Sequence, residues 1–231
     1  MTEKRFEIIQ GDCLDVLPKL EKESIDLIIT DPPYLMNYHT GHRLNKNHDF
    51  CKPIMNDNNP SVISEVIPLL FDVLKDGGAL YMFCNSNHID FFKQEIEKHF
   101  KVKNILIWIK NNWSAGDLKG DYAKKTEFII FAVKGRHLLN GGRDTDTLYY
   151  DRVVGNMQLH QNQKPVDLIK FLINKSSQTE DTILDCFMGS GTTGVACLQT
   201  NRNFIGIELD PKYYDISKQR INEAKGQRRL I

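Results

Sequence analysis

Short runs of almost uninterrupted apolar residues recur along this chain, and segments with helical spacing separate them. Ile25–Thr30 (IDLIIT) and Ala79–Cys84 (ALYMFC) are the clearest. A strand that alternates apolar and polar residues buries one face, whereas a strand apolar throughout buries both. Phe6–Gln10, Val102–Ile109, Glu127–Val133, Thr182–Cys186 and Phe204–Glu208 read as further strands. Between them, Leu14–Leu20, Ser61–Lys75, Ile89–His99, Pro165–Lys175, Thr192–Thr200 and Pro211–Ala224 read as helices, with Pro68 implying a kink or a break in the second. Strands alternating with helices predict an α/β fold, doubly wound, with a mostly parallel sheet covered on both faces.

At 231 residues the chain suits one domain with a full core, 1–231. No apolar stretch approaches the roughly 20 residues of a membrane span, and no signal-peptide pattern opens the sequence. Cys13, Cys51, Cys84, Cys186 and Cys197 are scattered and odd in number, as expected for reduced thiols in the cytoplasm. Net charge is zero, yet Lys98–Arg152 holds eleven Lys and Arg against six Asp and Glu, enough for one face to meet a polyanion.

Two turns carry chemistry. Ile183–Gly194 (ILDCFMGSGTTG) leads a strand through a glycine-rich turn into a helix, and Glu208 ends the next strand. Glycines admit positive φ and close approach of a ligand. A carboxylate at Glu208 can accept hydrogen bonds from both ribose hydroxyls of a nucleoside. The spacing Gly189-x-Gly191-x-x-Gly194 also fits a dinucleotide fingerprint, so this half predicts an adenosine-containing ligand without choosing between a nicotinamide cofactor and S-adenosylmethionine. The second turn, Asp31-Pro32-Pro33-Tyr34, directly follows the buried strand Ile25–Thr30 and therefore sits at a carboxyl end of the sheet, where open α/β folds bind ligands. Consecutive prolines remove two N–H donors and leave carbonyl acceptors on a rigid turn. Asp31 adds a carboxylate and Tyr34 a flat face. Together they suit a planar amine, whose developing positive charge Asp31 and the Pro32 carbonyl would stabilise.

These residues resemble the DNA amino-methyltransferases, the N6-adenine and N4-cytosine enzymes, and in particular the permuted group in which the catalytic tetrapeptide precedes the cofactor loop. Four blocks carry the resemblance: Gly11-Asp12-Cys13, Asp31–Tyr34, His160–Pro165 (HQNQKP, similar to HPTQKP) and Asp185–Thr193 (DCFMGSGTT, similar to DPFxGSGTT). Cys186 and Asn162 depart from the family pattern, where Pro and Thr or Ser are usual. The resemblance implies a Rossmann-like, seven-stranded sheet ordered 3-2-1-4-5-7-6, entered at the third strand, with Val102–Ile109 and Glu127–Val133 as an antiparallel edge hairpin. It implies S-adenosylmethionine as cofactor, with Asp12 at its adenine, Glu208 at its ribose, Asp185 and Lys164 at its methionine end, and Cys13, Asp31, Phe187, Gly189, Ser190, Gly191 and Thr192 around it. Asp31, Pro32, Pro33 and Tyr34 become the catalytic set, acting on a base flipped out of double-stranded DNA. Asp at the head of the tetrapeptide favours adenine; N4-cytosine, a nicotinamide-dependent oxidoreductase and a non-enzymatic binder are the alternatives.

Residues 135–163, with Arg136, Arg143 and Arg152, are expected to recognise the target, and Trp113 to line the base pocket with Tyr34. Residues 35–60 read as a mobile loop; its His39, His42, His48 and Cys51 could suggest a metal site, but the family needs none, and no metal is expected. A homodimer and a cognate restriction endonuclease are compatible with the resemblance.

Overall fold

A computed structural model describes residues 6–34, 59–113, 119–120, 122–154 and 163–228. Its strands are β1 (Phe6–Gln10), β2 (Ile25–Thr30), β3 (Leu74–Cys84), β4 (Lys101–Ile109), β5 (Thr126–Val133), β6 (Thr147–Tyr149), β7 (Thr182–Asp185) and β8 (Asn203–Glu208). Its helices are α1 (Cys13–Val16), α2 (Ser61–Val73), α3 (Ile89–Glu97), α4 (Val166–Ser176), α5 (Thr192–Thr200) and α6 (Pro211–Arg228). The strands form one sheet in the order β1-β8-β7-β2-β3-β5-β4-β6. The first seven positions reproduce the expected 3-2-1-4-5-7-6 order, entered at the third strand.

β1, β8, β7, β2 and β3 are parallel, whereas β5 runs antiparallel to both β3 and β4. The amino end of β5 therefore lies at the same edge as the carboxyl ends of the parallel strands, and that edge holds both turns singled out above. Apolar residues alternate between two cores. Ile28, Leu80, Met82, Ile130 and Leu184 face α1, α2 and α3. Leu27, Ile29, Tyr81, Phe83, Phe131 and Ile183 face α4, α5 and α6. Burial on both faces explains why these strands lack polar alternation.

Three features depart from expectation. The sheet has eight strands, because β6 joins β4 in parallel beyond the hairpin. Three residues are too few to show a period; β6 is instead held by Ile107 donating its N–H to the Asp146 carbonyl at 2.7 Å and by the Trp108 indole donating to the Tyr150 carbonyl at 2.7 Å. Pro68 does not break α2: the buried row Val62, Ile63, Val66, Ile67, Leu70 and Val73 carries one helix past the missing N–H. β3 starts at Leu74, ahead of Gly77-Gly78, since Leu74 pairs with Ile25 before the register shifts.

Candidate active site

Thr30 ends β2 and Asp185 ends the adjacent β7, so the turn that begins at Asp31 and the glycine-rich turn start side by side. The Thr30 hydroxyl donates to Asp185 Oδ1 at 3.1 Å and lies 3.4 Å from Cys186 Sγ. Asp185 Oδ1 also accepts from the Phe187 N–H, and its Oδ2 accepts from the Thr193 hydroxyl at 2.6 Å. Asp185 is thus a buried knot tying β2, β7 and the start of α5. Burial pushes its carboxyl up from 3.8 to about 7, against the pull of those three hydrogen bonds. Cys186, in place of the family proline, is 2% exposed, and its thiol meets that of Cys13, itself 4% exposed.

One strand further, Glu208 closes β8 as a half-buried carboxylate. Its Oε2 accepts from the Gly189 N–H at 2.8 Å and its Oε1 from the Asp210 N–H at 2.9 Å. The Glu208 carbonyl accepts from the Gly11 N–H, which sets the tip of β1 against it. Next to Gly11, Asp12 caps α1 through the Leu14 N–H at 2.9 Å. Asp12, Phe187, Gly189 and Glu208 therefore gather along the open edge. Ser190, Gly191 and Thr192 do not. Arg220 of α6 donates to the Ser190 carbonyl and to the Thr192 hydroxyl at 3.0 Å, and both side chains are buried. At Gly191, φ is +76° and a Cβ would come within 2.9 Å of the Ser217 Cβ. Here glycine lets α6 close over the turn.

On the other side of Asp185 lies a charged cluster. Lys164 Nζ meets Asp31 Oδ2 at 2.6 Å and Glu127 Oε2 at 3.1 Å, and donates to the Tyr34 hydroxyl at 2.9 Å. That hydroxyl donates to Asp31 Oδ1 at 2.5 Å. Glu127, at the start of β5, also pairs with Lys110 just past β4. The Asn85 amide, after β3, donates to the Tyr34 carbonyl at 3.2 Å. The ends of four strands thus converge on one tetrapeptide.

Burial raises the Asp31 carboxyl, Lys164 opposes that shift, and Glu127 adds to it. Burial alone would strip the proton from Lys164, but Asp31 and Glu127 outweigh it and hold the ammonium above its ordinary range. At Glu127 burial is likewise outweighed, by Lys164 and Lys110, and the carboxyl sits below its ordinary value. Burial, then Asp31 and Glu127, push the Tyr34 phenol far up, so it stays neutral.

The structure therefore brings together Asp31, Pro32, Pro33, Tyr34 and Lys164, with the Lys164 ammonium on Asp31, Glu127 and the Tyr34 hydroxyl. Trp113 is 68% exposed and follows β4 at this edge, whereas Trp108 is core. Arg152 is also here, its backbone N–H donating to Asn111 Oδ1 at 3.3 Å. Arg136 and Arg143 are not. The Arg136 carbonyl adjoins Gly77, seven residues down β3 from Cys84, or about 23 Å away at about 3.3 Å per residue. Arg143 sits in a turn held by Lys175, which donates to the Asn140 and Gly142 carbonyls at the far end of α4. β5 runs away from the site, so the chain needs β6 to return; among the described residues of 135–163, those just after β6 reach this edge. The 35–60 loop up to Asn58 and residues 155–162, including Asn162, lie outside the described residues. Among the described residues no group of side chains could hold a metal ion, and no helix is long and apolar enough to cross a membrane.

Glu127 and Lys110 escaped the sequence reading. Glu127 appears there only as the head of an apolar strand; its signal is an acid opening an otherwise buried run, significant once β5 is known to be antiparallel.

Comparison with known proteins agrees with this geometry. Residues 25–219 match the N6/N4 family model described as a DNA methylase. The type II methyltransferase M2.MboI of Moraxella bovis is 31% identical, the alignment covering 96% of this chain and 89% of that one. The DNA adenine methyltransferase YhdJ of Escherichia coli is 29% identical over 94% of this chain and 83% of its own. Among solved structures, the complex of M1.HpyAVI with S-adenosylmethionine superposes with a TM-score of 0.72 at 27% identity, covering 94% of this chain and 99% of that one.

Proposed function

The chain belongs to the N6/N4 DNA methylase family, and from that membership we propose that it transfers a methyl group from S-adenosylmethionine to the exocyclic N6 of an adenine flipped out of double-stranded DNA. The observation that carries this reading is Asp31, a carboxylate just past the end of β2, on the same sheet edge as Glu208 at the end of β8 and Asp12 after β1, with β7 between β2 and β8.

The cofactor's chemistry suits that edge. Asp12 and Glu208 are half-buried carboxylates able to accept from the amino and hydroxyl groups of a nucleoside, and the apolar side of Phe187 lies between them and Asp31 in the strand order. When bound, S-adenosylmethionine supplies an electrophilic methyl on a sulfonium. M1.HpyAVI, 27% identical, binds that cofactor.

The chain's own residues do the rest. Asp31 and the Pro32 carbonyl accept from the base amino group, which draws the nitrogen lone pair out of conjugation with the ring and stabilises the charge that develops on it. Asp31 or water takes the proton that the alkylated nitrogen sheds. Tyr34, its hydroxyl anchored by Asp31 and Lys164, offers a fixed ring wall for a flipped base. The exposure of Trp113 and the position of Arg152 beside Asn111 support contacts with the nucleic acid around it. Asp at the head of the tetrapeptide, and the adenine specificity in the name of YhdJ, support adenine over cytosine. The type II relatives support a place in a restriction–modification system.

Incubation with DNA and methyl-labelled S-adenosylmethionine, followed by digestion to nucleosides, tests the proposal. Label is expected in N6-methyladenine. Label in N4-methylcytosine would overturn the adenine assignment, and absence of transfer would overturn the function.

A further inference from the structure

We propose that Glu127, backed by Lys110, is the positioning residue of the amine socket: it holds the Lys164 ammonium between two carboxylates and so keeps Asp31 and Tyr34 in their reactive arrangement. The inference rests on the function proposed above.

Two lysines and two acids converge where the side chains are 6–21% exposed. A buried charge is tolerated only when it is paired and hydrogen-bonded. Lys164 is 6% exposed and spans Asp31, Glu127 and the Tyr34 hydroxyl. Glu127 faces Lys110 with one oxygen and Lys164 with the other, so the four formal charges cancel. Among the described residues, Tyr34, Phe83 and Cys84 also face Lys164 and are neutral: the two rings lie 5.2 and 5.0 Å from its nitrogen, and burial lifts the Cys84 thiol to about 12.

Glu127 does not contact the tetrapeptide tightly; its Oε2 lies 3.5 Å from the Tyr34 hydroxyl. Its influence passes through Lys164. With Glu127 neutralised, Lys110 and Lys164 face a single carboxylate. The pocket becomes cationic just where the alkylated amine must acquire positive charge, and Lys164, already 2.6 Å from Asp31 Oδ2, loses the second acid that shares its ammonium and so draws harder on the lone pairs the amine needs. Two consecutive strands, far in sequence from the tetrapeptide, supply the clamp: β5 provides the acid, and the residue after β4 provides the cation that keeps that acid ionised.

Glu127→Gln leaves two buried ammonium groups under-compensated and can fail to fold. Lys110→Met/Glu127→Gln removes a neutral pair at similar volume, which buried pairs often tolerate. For the double variant we expect unchanged thermal stability and cofactor Kd within about threefold of the parent, but kcat on DNA lowered at least about tenfold. The alkaline limb of the kcat profile should move to lower pH, since Glu127 no longer helps hold the Lys164 proton. Lys110→Met/Glu127→Asp, carrying a shorter acid, should recover part of kcat. A parent-like kcat and limb in the double variant would overturn the clamp, as would kcat and cofactor affinity falling together.

Direct titration of the lysine nitrogens by NMR separates the two readings. Lys164 should lose its proton at lower pH in the double variant, whether or not the protein transfers methyl groups. A moved titration with an inactive parent would refute the proposed function and leave the clamp standing. An unmoved titration with an active parent would refute the clamp alone.

Discussion

Asp185→Asn should make stability respond differently to pH, with the effect concentrated between about pH 4 and 7. In the native protein burial raises this carboxyl from 3.8 to about 7. Between those values the native state binds more protons than the unfolded chain, so this group's contribution falls as pH rises. It is fully present below pH 3.8 and lost as pH passes 7. A shift of about three units at about 1.36 kcal/mol each bounds the loss near 4 kcal/mol. Asn is neutral throughout and escapes that loss. It cannot accept from Thr193, Thr30 and Phe187 as the acid does, however, and one compromised buried donor costs about 1–3 kcal/mol at any pH. By pH 5 the parent has already lost about 1.6 kcal/mol of this contribution, so the variant should lie within about 1.5 kcal/mol of the parent there and about 1–3 kcal/mol above it at pH 8. Urea unfolding at both pH values reads the two differences directly from Cm and m. Parent and variant curves separated by the same free energy at pH 5 and pH 8 would refute the buried-acid account of Asp185.

Two further outcomes follow from local packing. Gly191→Ala places a side chain at φ +76° and within 2.9 Å of the Ser217 Cβ, which should cost about 2–3 kcal/mol; a calorimetric Tm lowered by less than about 2 °C would contradict the tight approach of α6. Trp108→Phe deletes the indole donor to the Tyr150 carbonyl and should destabilise by about 1 kcal/mol, with hydrogen exchange accelerated chiefly at Leu148 and Tyr149. Unchanged exchange there would mean that β6 does not depend on this bond.

Much of the fold was legible because both-face burial leaves a simple mark: IDLIIT became β2, and Thr192–Thr200, after the glycine-rich turn, became α5, as read. Asp31–Tyr34 and Glu208 stood at strand ends because strand ends are visible as the limits of apolar runs. What sequence could not show was direction. Nothing in TEFIIFAV says that β5 runs backward, and that reversal is what brings Glu127 into the socket and carries Arg136 to the opposite edge. Nor could a glycine-rich turn disclose how its side chains pack: Ser190 and Thr192 match the motif, and Arg220, 30 and 28 residues later in chain order, donates to both. Lys164 matches its motif equally well, and only the folded structure shows its ammonium seated between Asp31 and Glu127.

The most direct test of the account is single-turnover methyl transfer by Asp31→Ala, measured beside cofactor binding on the same preparation. If Asp31 holds the amine, transfer to DNA falls by at least about a hundredfold while the Kd for S-adenosylmethionine stays within about fivefold of the parent. Transfer continuing near the parent rate would contradict it.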